Sequence, residues 1–263
     1  MLSYQHNYHA GNLADVHKHA ALAWVLDYMT AKDKPLTYLE THAGRGLYDL
    51  SDPAARKTGE AQAGILRLAS DIAPDHPFAL VLASIRGVHG PNAYPGSPLI
   101  AAEFLRARDQ LLLAELHPAE HAALEDTLAS SKARIFRQDG WEMAQTQVPP
   151  APRRGLMLID PSYELKTDYR DVPRHIAKIT RAWNVGVIVL WYPLLRDKRH
   201  GAMLETLVSK YPQALSHEVH FSAARAGHGM VGSGLFVINP PFGLDVELKS
   251  ISSYFTGHSG PRG

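Results

Sequence analysis

The chain has no cysteine, so disulfides and thiolate metal sites are excluded and a reducing compartment is the natural setting. It has no apolar run of membrane-spanning length. Its first residues, Met1-Leu2-Ser3-Tyr4-Gln5-His6-Asn7-Tyr8-His9, lack the apolar core of a signal segment. A cytoplasmic protein with no membrane partner is therefore expected. Charge of one sign is not in excess either: 27 Lys and Arg against 26 Asp and Glu leave a net charge of +1. Proteins that coat nucleic acid are strongly basic, so this one would have to touch a polyanion through local patches. What is present is 263 residues with 45% hydrophobic and 20% charged content, which suits one large α/β domain with a sizeable core. Histidines are many, 15 in all, and His6, His9, His17 and His19 crowd the start. They show no His-Glu-x-x-His spacing and no tight carboxylate partnering, so no metal is expected. Packing, or hydrogen bonding to a ligand carboxylate, is the reading for them.

One stretch organises the rest: Gly155-Leu156-Met157-Leu158-Ile159-Asp160-Pro161-Ser162-Tyr163-Glu164. A short, continuous apolar run that stops at a polar-proline turn reads as a strand buried on both faces of a parallel sheet. Proline cannot donate to a ladder, so Pro161 ends the strand. Asp160 then stands at the carboxyl end of a central strand, where open α/β sheets place their ligands. A carboxylate, an exposed carbonyl on Pro161 and the ring of Tyr163 suit a flat base with an exocyclic amine. The run resembles the (Asp/Asn)-Pro-Pro-(Tyr/Phe) signature of amino-methyltransferases acting on adenine N6, with Ser162 in place of the second proline.

Asn12 or Asp15 can begin a helix that runs to about Met29, with Val16, Ala20, Leu22, Ala23, Trp24 and Leu26 as its buried stripe and Lys18 and His19 near its first turns. Pro35–Glu40 reads as the first strand, followed by Thr41-His42-Ala43-Gly44-Arg45-Gly46. Against the Glu-x-Gly-x-Gly-x-Gly loop of AdoMet-dependent methyltransferases, this keeps Glu40, Gly44 and Gly46 but has His42 at the first glycine. The loop falls short of the three glycines that cradle a dinucleotide pyrophosphate. From Ser51 to Asn92, proline-rich breaks separate helical pieces such as Gly59–Ser70 and Phe78–Val88, which predicts a small helical insertion. Ser97 is expected to cap a helix with Pro98 at its first position, running to about Arg108.

Gln110–Glu115 reads as the second core strand, ending in an acid that can accept two ribose hydroxyls. A helix over Ala119–Ser130 leads to a third strand near Ala133–Gln138, where Asp139 and the Gly140 backbone can read an adenine edge. Pro149–Arg154 is a rigid linker into the central strand. A helix over Asp168–Trp183, a buried strand over Val185–Pro193 and a helix opened by Arg196-Asp197-Lys198-Arg199-His200 follow. Basic residues at a helix start oppose the helix dipole, which favours phosphate contact over helix stabilisation. His217–Phe221 and Gly234–Ile238 are a closing antiparallel pair around the glycine-rich loop Ala223–Ser233, which carries Arg225. Asn239-Pro240-Pro241-Phe242 fits the adenine N6 signature letter for letter. Chain order argues against it, because the glycine-loop strand and the catalytic strand should be neighbours with two strands intervening in sequence. Asn239 is read as structural.

Leu2-Ser3-Tyr4-x-His6-x-x-His9-Ala10-Gly11-Asn12-x-Ala14-Asp15-Val16-x-Lys18-His19, Thr41-His42-Ala43-Gly44, Tyr94-Pro95-Gly96-Ser97-Pro98, Glu115-Leu116-His117-Pro118 and Asp160-Pro161-x-Tyr163-Glu164 together resemble the ribosomal RNA large subunit methyltransferase J family. The match covers nearly the whole chain, in order. It implies a Rossmann-like class I AdoMet-dependent methyltransferase, a mostly parallel sheet with helices on both faces, with residues 1–50 and 93–263 as its core and 51–92 as the helical insertion. It implies S-adenosyl-L-methionine (AdoMet) as cofactor and methylation of N6 of one adenine in 23S ribosomal RNA, protein-free or an early precursor, by a monomer. Carried onto matching positions, the cofactor would meet Lys18, His19, His42, Ala43, Gly44, Ser97, Glu115, Asp139, Gly140 and Asp160, with Lys18 a partner for its carboxylate. Catalysis would fall to Asp160, Pro161 and Tyr163 with Tyr4, and substrate contact to His6, Lys166, Arg196, Arg199 and Arg225. Ser162 departs from the family's proline but leaves the Asp160 side chain, the Pro161 carbonyl and the Tyr163 ring in place. The rival readings are a DNA adenine-N6 methyltransferase, a non-catalytic RNA-binding protein weakened by Ser162, and a nicotinamide oxidoreductase, which would need a fuller pyrophosphate loop.

Overall fold

The apolar runs assemble into a single main sheet in a computed structural model that describes residues 8–165, 167–222 and 229–256. After helix α1 (Leu13–Thr30) come β1 (Thr37–Glu40) and a short hairpin, β2 (Leu47–Asp49) with β3 (Ala93–Pro95), which stands apart from that sheet. Then follow β4 (Gln110–Ala114), β5 (Arg134–Phe136), β6 (Gly155–Ile159), β7 (Val187–Leu195), β8 (Leu215–His220) and β9 (Met230–Ile238). The order across the sheet is β5-β4-β1-β6-β7-β9-β8. Pairings from β5 through β7 are parallel, and β9 runs antiparallel to both of its neighbours. Strand order therefore reverses between β1 and β6, where Glu40 lies opposite Leu158. This is the neighbour relation the sequence predicts for the glycine-loop strand and the catalytic strand.

Continuous apolar strands are buried on both faces because helices cover both. Alternate residues of β6 divide between two cores: Leu156 and Leu158 join Val16, Leu26, Phe78 and Ile100 on one face, while Met157 and Ile159 join Ile176, Trp183, Met203 and Leu207 on the other. The second face is built by α8 (Gly140–Gln147), α9 (Asp168–Ala182) and α10 (Gly201–Lys210). On the first face α1 packs against α5 (Pro77–His89), α6 (Ser97–Phe104) and α11 (Leu244–Ser253). That surrounds α1, so it is buried on nearly every side instead of along one stripe; Trp24 is only half-buried, while Lys18 and His19 are inside.

The ends of the segment 51–92 meet at the hairpin, where Asp49 pairs with Ala93 and the Leu50 amide donates to the Asn92 carbonyl. Between them lie α2 (Pro53–Thr58), α3 (Glu60–Ala63), α4 (Ile65–Leu68) and α5, whose Ile65, Leu68, Phe78 and Ile85 enter the same core as α1. Two expectations at α6 are corrected. Its N-cap is Gly96, not Ser97, because the Ser97 hydroxyl is drawn away to the buried Glu40 carboxylate. The helix ends at Phe104, short of Arg108. The helix after β7 starts at Gly201, so Arg196 to His200 form a turn before it and not its first turn. Helix α7 (Pro118–Thr127) stands where expected, whereas α8, α11 and the hairpin strands are additions to the sequence reading.

Candidate active site

β6 delivers Asp160 to the carboxyl edge of the sheet, and α1 delivers the group that meets it. Lys18 Nζ donates to Asp160 Oδ2 at 2.5 Å and lies 3.1 Å from Asp15 Oδ1. The ammonium is nearly buried, which by itself disfavours charge; the two carboxylates outweigh that and raise its pKa above the ordinary lysine value. It is a fixed cation, and Asp160, with its side chain 16% exposed, is a carboxylate held by it at the mouth of the site. Pro161 is buried, and Ser162, which departs from the family pattern, is exposed. Tyr163 takes a left-handed conformation at φ +54°. Its ring is buried beside Tyr169, with centroids 4.8 Å apart, and its hydroxyl donates to the Trp191 carbonyl at 2.8 Å.

The loop after β1 closes the other side. Ala43 donates its amide to the Ala114 carbonyl at 3.0 Å, which binds the loop to the end of β4. Gly44, at φ +65°, donates its amide to Glu115 Oε2 at 2.8 Å, and a Cβ there would come within 2.7 Å of Tyr48 Oη. The His117 amide donates to the other oxygen of Glu115 at 2.7 Å, so two backbone donors orient this carboxylate. Asp139 caps α8, its Oδ1 accepting from the Trp141 and Glu142 amides. Gly140 lets that helix start against β1, since a Cβ would fall 1.9 Å from the Thr41 carbonyl oxygen. His42 sits between these parts with its ring edge-on to Trp141 at 5.7 Å. Burial lowers its pKa to about 4, against the pull of the Asp160 and Asp139 carboxylates, and the imidazole is neutral.

Beneath the loop lies a buried carboxyl. Glu40 accepts from Ser97 Oγ and from Tyr38 Oη, the latter at 2.8 Å. Burial drives its pKa up to about 8 despite those two hydrogen bonds and the charge of Lys18. Ser97 and His19 are 5% and 1% exposed, and His19 Nδ1 is 2.8 Å from Tyr94 Oη. Both belong to the layer under the site. At the opposite end of the strands, Asn239 donates from Nδ2 to the carbonyls of Asn184 and Gly186, at 3.0 and 2.8 Å. Since Ile238 pairs with Ile188 at the start of β7, the exact-letter signature is at the amino edge of the parallel strands, away from Asp160. Arg196 is exposed, and Arg199 is paired with Asp197. Tyr4, His6, Lys166 and Arg225 lie outside the described residues. Among the described residues no cluster of three His, Cys, Asp or Glu is arranged to hold a metal ion, and no helix is long and apolar enough to cross a membrane.

One residue of this site escaped the sequence reading. Ile159 pairs with Leu190, so the next residue along, Trp191, stands level with Asp160 on the neighbouring strand. Its ring centroid is 5.8 Å from Lys18 Nζ. Strand register was the signal that could have found it.

A family model described as "Ribosomal RNA large subunit methyltransferase D, RlmJ" matches residues 33–263. The chain belongs to this family. Ribosomal RNA large subunit methyltransferase J of Escherichia coli (strain K12) is 37% identical over 268 residues, spanning 100% of this chain and 96% of that protein. The protein of the same name from Haemophilus influenzae is 38% identical over 269 residues, with the same coverage of 100% and 96%. A crystal structure of a protein from Legionella pneumophila is 35% identical and superposes with a TM-score of 0.86, covering 96% of this chain and 95% of that one. Membership makes this chain an AdoMet-dependent methyltransferase of large-subunit ribosomal RNA. The residues at the edge of the sheet fit that cofactor. Gly44 holds the loop in a left-handed turn that brings its amide to Glu115, and Glu115 presents an oriented carboxylate suited to vicinal hydroxyls.

Proposed function

We propose that the chain methylates the exocyclic N6 of one adenine in 23S ribosomal RNA, with Asp160, Pro161 and Tyr163 handling the base. The observation that supports this most directly is the place of Asp160: the carboxyl end of β6, beside the glycine loop of β1, with its charge fixed by a buried lysine. N6 of adenine is a poor nucleophile because its lone pair is delocalised into the purine. Its two protons would be held by the Asp160 carboxylate and the Pro161 carbonyl, which localises the lone pair outward. Bound AdoMet supplies a methyl group on a sulfonium, an electrophile whose leaving group is a neutral thioether. Alignment of donor and acceptor supplies much of the rate through proximity. Once the new N–C bond forms, the amine sheds one proton, and Asp160 is the acceptor, directly or through water. Lys18 holds that carboxylate in place before transfer. In this reading the Tyr163 ring would stack on the base, a contact worth on the order of 1–3 kcal/mol.

Gly44, Glu115, Asp139 and Gly140 would hold the cofactor, with Ala43, His42, Ser97 and His19 supporting that loop from beneath. An adenine can reach Asp160 only out of its stack, so the target is expected in looped or single-stranded RNA, protein-free or in an early precursor. Tyr4 and His6 complete the catalytic and substrate-binding sets in this reading, with Lys166, Arg196, Arg199 and Arg225 on the RNA backbone. Residues 51–92 act as an insertion subdomain on the methyltransferase core, and the protein works as a cytoplasmic monomer. The test is transfer of tritiated methyl from AdoMet to protein-free 23S RNA lacking the modification, followed by nucleoside analysis. A single N6-methyladenosine is expected. Asp160→Ala should abolish it while calorimetry still detects AdoMet binding; turnover retained in that variant would sink the reading. AdoMet binding and salt-dependent RNA binding without transfer by the natural chain would favour an RNA-binding role instead.

A further inference from the structure

Trp191 is tied into a chain of buried polar groups that the reaction as described does not use. Its Nε1–H donates to Ser233 Oγ at 2.9 Å. His17 Nδ1 is 2.9 Å from the same oxygen, His17 Nε2 is 2.9 Å from His217 Nδ1, and His217 Nε2 is 2.8 Å from Ser252 Oγ. Ser252 in turn donates to the Leu248 carbonyl within α11 at 3.2 Å. The two ends fix the direction of every proton between them. Ser252 spends its one proton on a carbonyl, so it must accept from His217 Nε2–H. His217 Nδ1 is then an acceptor and takes His17 Nε2–H, which leaves His17 Nδ1 to accept from the Ser233 hydroxyl. Ser233 Oγ finally accepts from the indole. Only this arrangement, with both imidazoles neutral, satisfies all five groups at once. Burial and the neighbouring His217 hold His17 well below its ordinary pKa, in keeping with a neutral ring.

The relay crosses the fold, from β7 through β9 and α1 to β8 and α11, and its members come from positions 17, 191, 217, 233 and 252. Ser233 and His17 are 0% exposed. A pair of apolar side chains would fill such a space without desolvating hydroxyls and imidazoles, so filling space does not account for them. The relay ends on the one aromatic residue that stands level with Asp160 on the next strand. Trp191 is half-buried, its ring faces Lys18 Nζ, and its carbonyl holds the Tyr163 hydroxyl.

We propose that Trp191 is a wall of the slot that receives the target adenine, and that Ser233, His17, His217 and Ser252 form a positioning relay that fixes its indole there. This rests on the reading of Asp160 as the residue that binds N6. His17 and His217 touch neither base nor cofactor; they act through the tryptophan.

Single-turnover methyl transfer to the unmodified 23S RNA tests the proposal, with AdoMet affinity measured by calorimetry and folding by circular dichroism. Trp191→Leu should slow transfer about tenfold or more, from the loss of a stacking face, with AdoMet affinity within about twofold of the natural protein. His217→Phe cuts the relay and should slow transfer several-fold. His217→Gln, whose amide can accept from His17 and donate to Ser252, should recover most of that loss. In the Trp191→Leu background, His217→Phe should cost nothing further. Wild-type rates in folded Trp191→Leu, or an equal cost of His217→Phe in both backgrounds, would overturn the proposal. Should Trp191→Leu not fold, Trp191→Phe, which keeps a ring but loses the indole donor, carries the same cycle. Asp160→Ala is run alongside: activity there removes the parent reading, whereas an inactive Asp160→Ala with an unaffected Trp191→Leu removes the relay alone.

Discussion

Among single residues, the charges at the mouth of the site define its energetics. Lys18 is a cation enclosed by Asp15 and Asp160, and removing one partner of such a group leaves the others uncompensated. Lys18→Met should destabilise the protein by about 3 kcal/mol in urea unfolding and abolish methyl transfer. Lys18→Met with Asp160→Asn should recover much of the stability and none of the activity. Equal stability of the single and double variants would show that the pair is not coupled. Glu40 makes a prediction about pH. Its pKa in the folded protein, about 8, lies above the ordinary glutamate value of 4.5, so the folded state binds the extra proton between those limits. The stability this contributes is fully present below about pH 4.5 and is lost as pH rises through 8. Thermal melts of the natural protein should therefore fall between pH 6 and pH 8.5 by more than those of Glu40→Gln. Parallel curves would remove Glu40 from the account.

At the level of elements, legibility followed the strength of the local pattern. The run Leu156 to Ile159 could be placed as a doubly buried strand because both cores accept its alternate residues, and Asn239 could be set aside from strand order alone. Helix α8 was missed because it is eight residues long and mostly polar, and β2 and β3 because three residues each show no periodicity. The Ser97 cap failed for a tertiary reason: the hydroxyl is taken by the buried Glu40 carboxyl, while the Leu99 and Ile100 amides of the buried first turn donate to the Gly96 carbonyl. Ser97→Ala should therefore leave α6 intact and act on Glu40, whose pKa rises further once a donor is gone. Its melting temperature should show a steeper fall with pH than the natural protein's. A uniform drop at every pH would point to a lost helix cap instead. The relay through His17 and His217 was invisible for yet another reason, since its members are scattered along the chain and only β7, β9, β8 and two helices bring them together.

The whole molecule must bind a polyanion with a net charge of only +1, so the placement of unpaired cations decides affinity. Arg106 is spent on Asp109 and on three backbone carbonyls at the far edge of α1, Arg45 on Glu120, and Arg170 and Arg174 on Asp171. In the turn after β7, Arg199 is paired with Asp197, while Arg196 is exposed and enters no ion pair among the described residues. Both were read as phosphate contacts, but their surroundings predict different strengths. Each phosphate contact adds roughly 0.7–0.9 to the slope of log affinity against log salt. Arg196→Ala should weaken binding to unmodified 23S RNA and lower that slope by about one. Arg199→Ala should change it less, because Asp197 already cancels part of its field and must be released before a phosphate can replace it. Since among the described residues neither side chain hydrogen-bonds or ion-pairs with Asp160, Pro161 or Tyr163, the single-turnover rate at saturating RNA should stay within about twofold in both. A larger slope change for Arg199 than for Arg196 would mean that the turn rearranges on RNA binding and that Asp197 is not its partner in the complex.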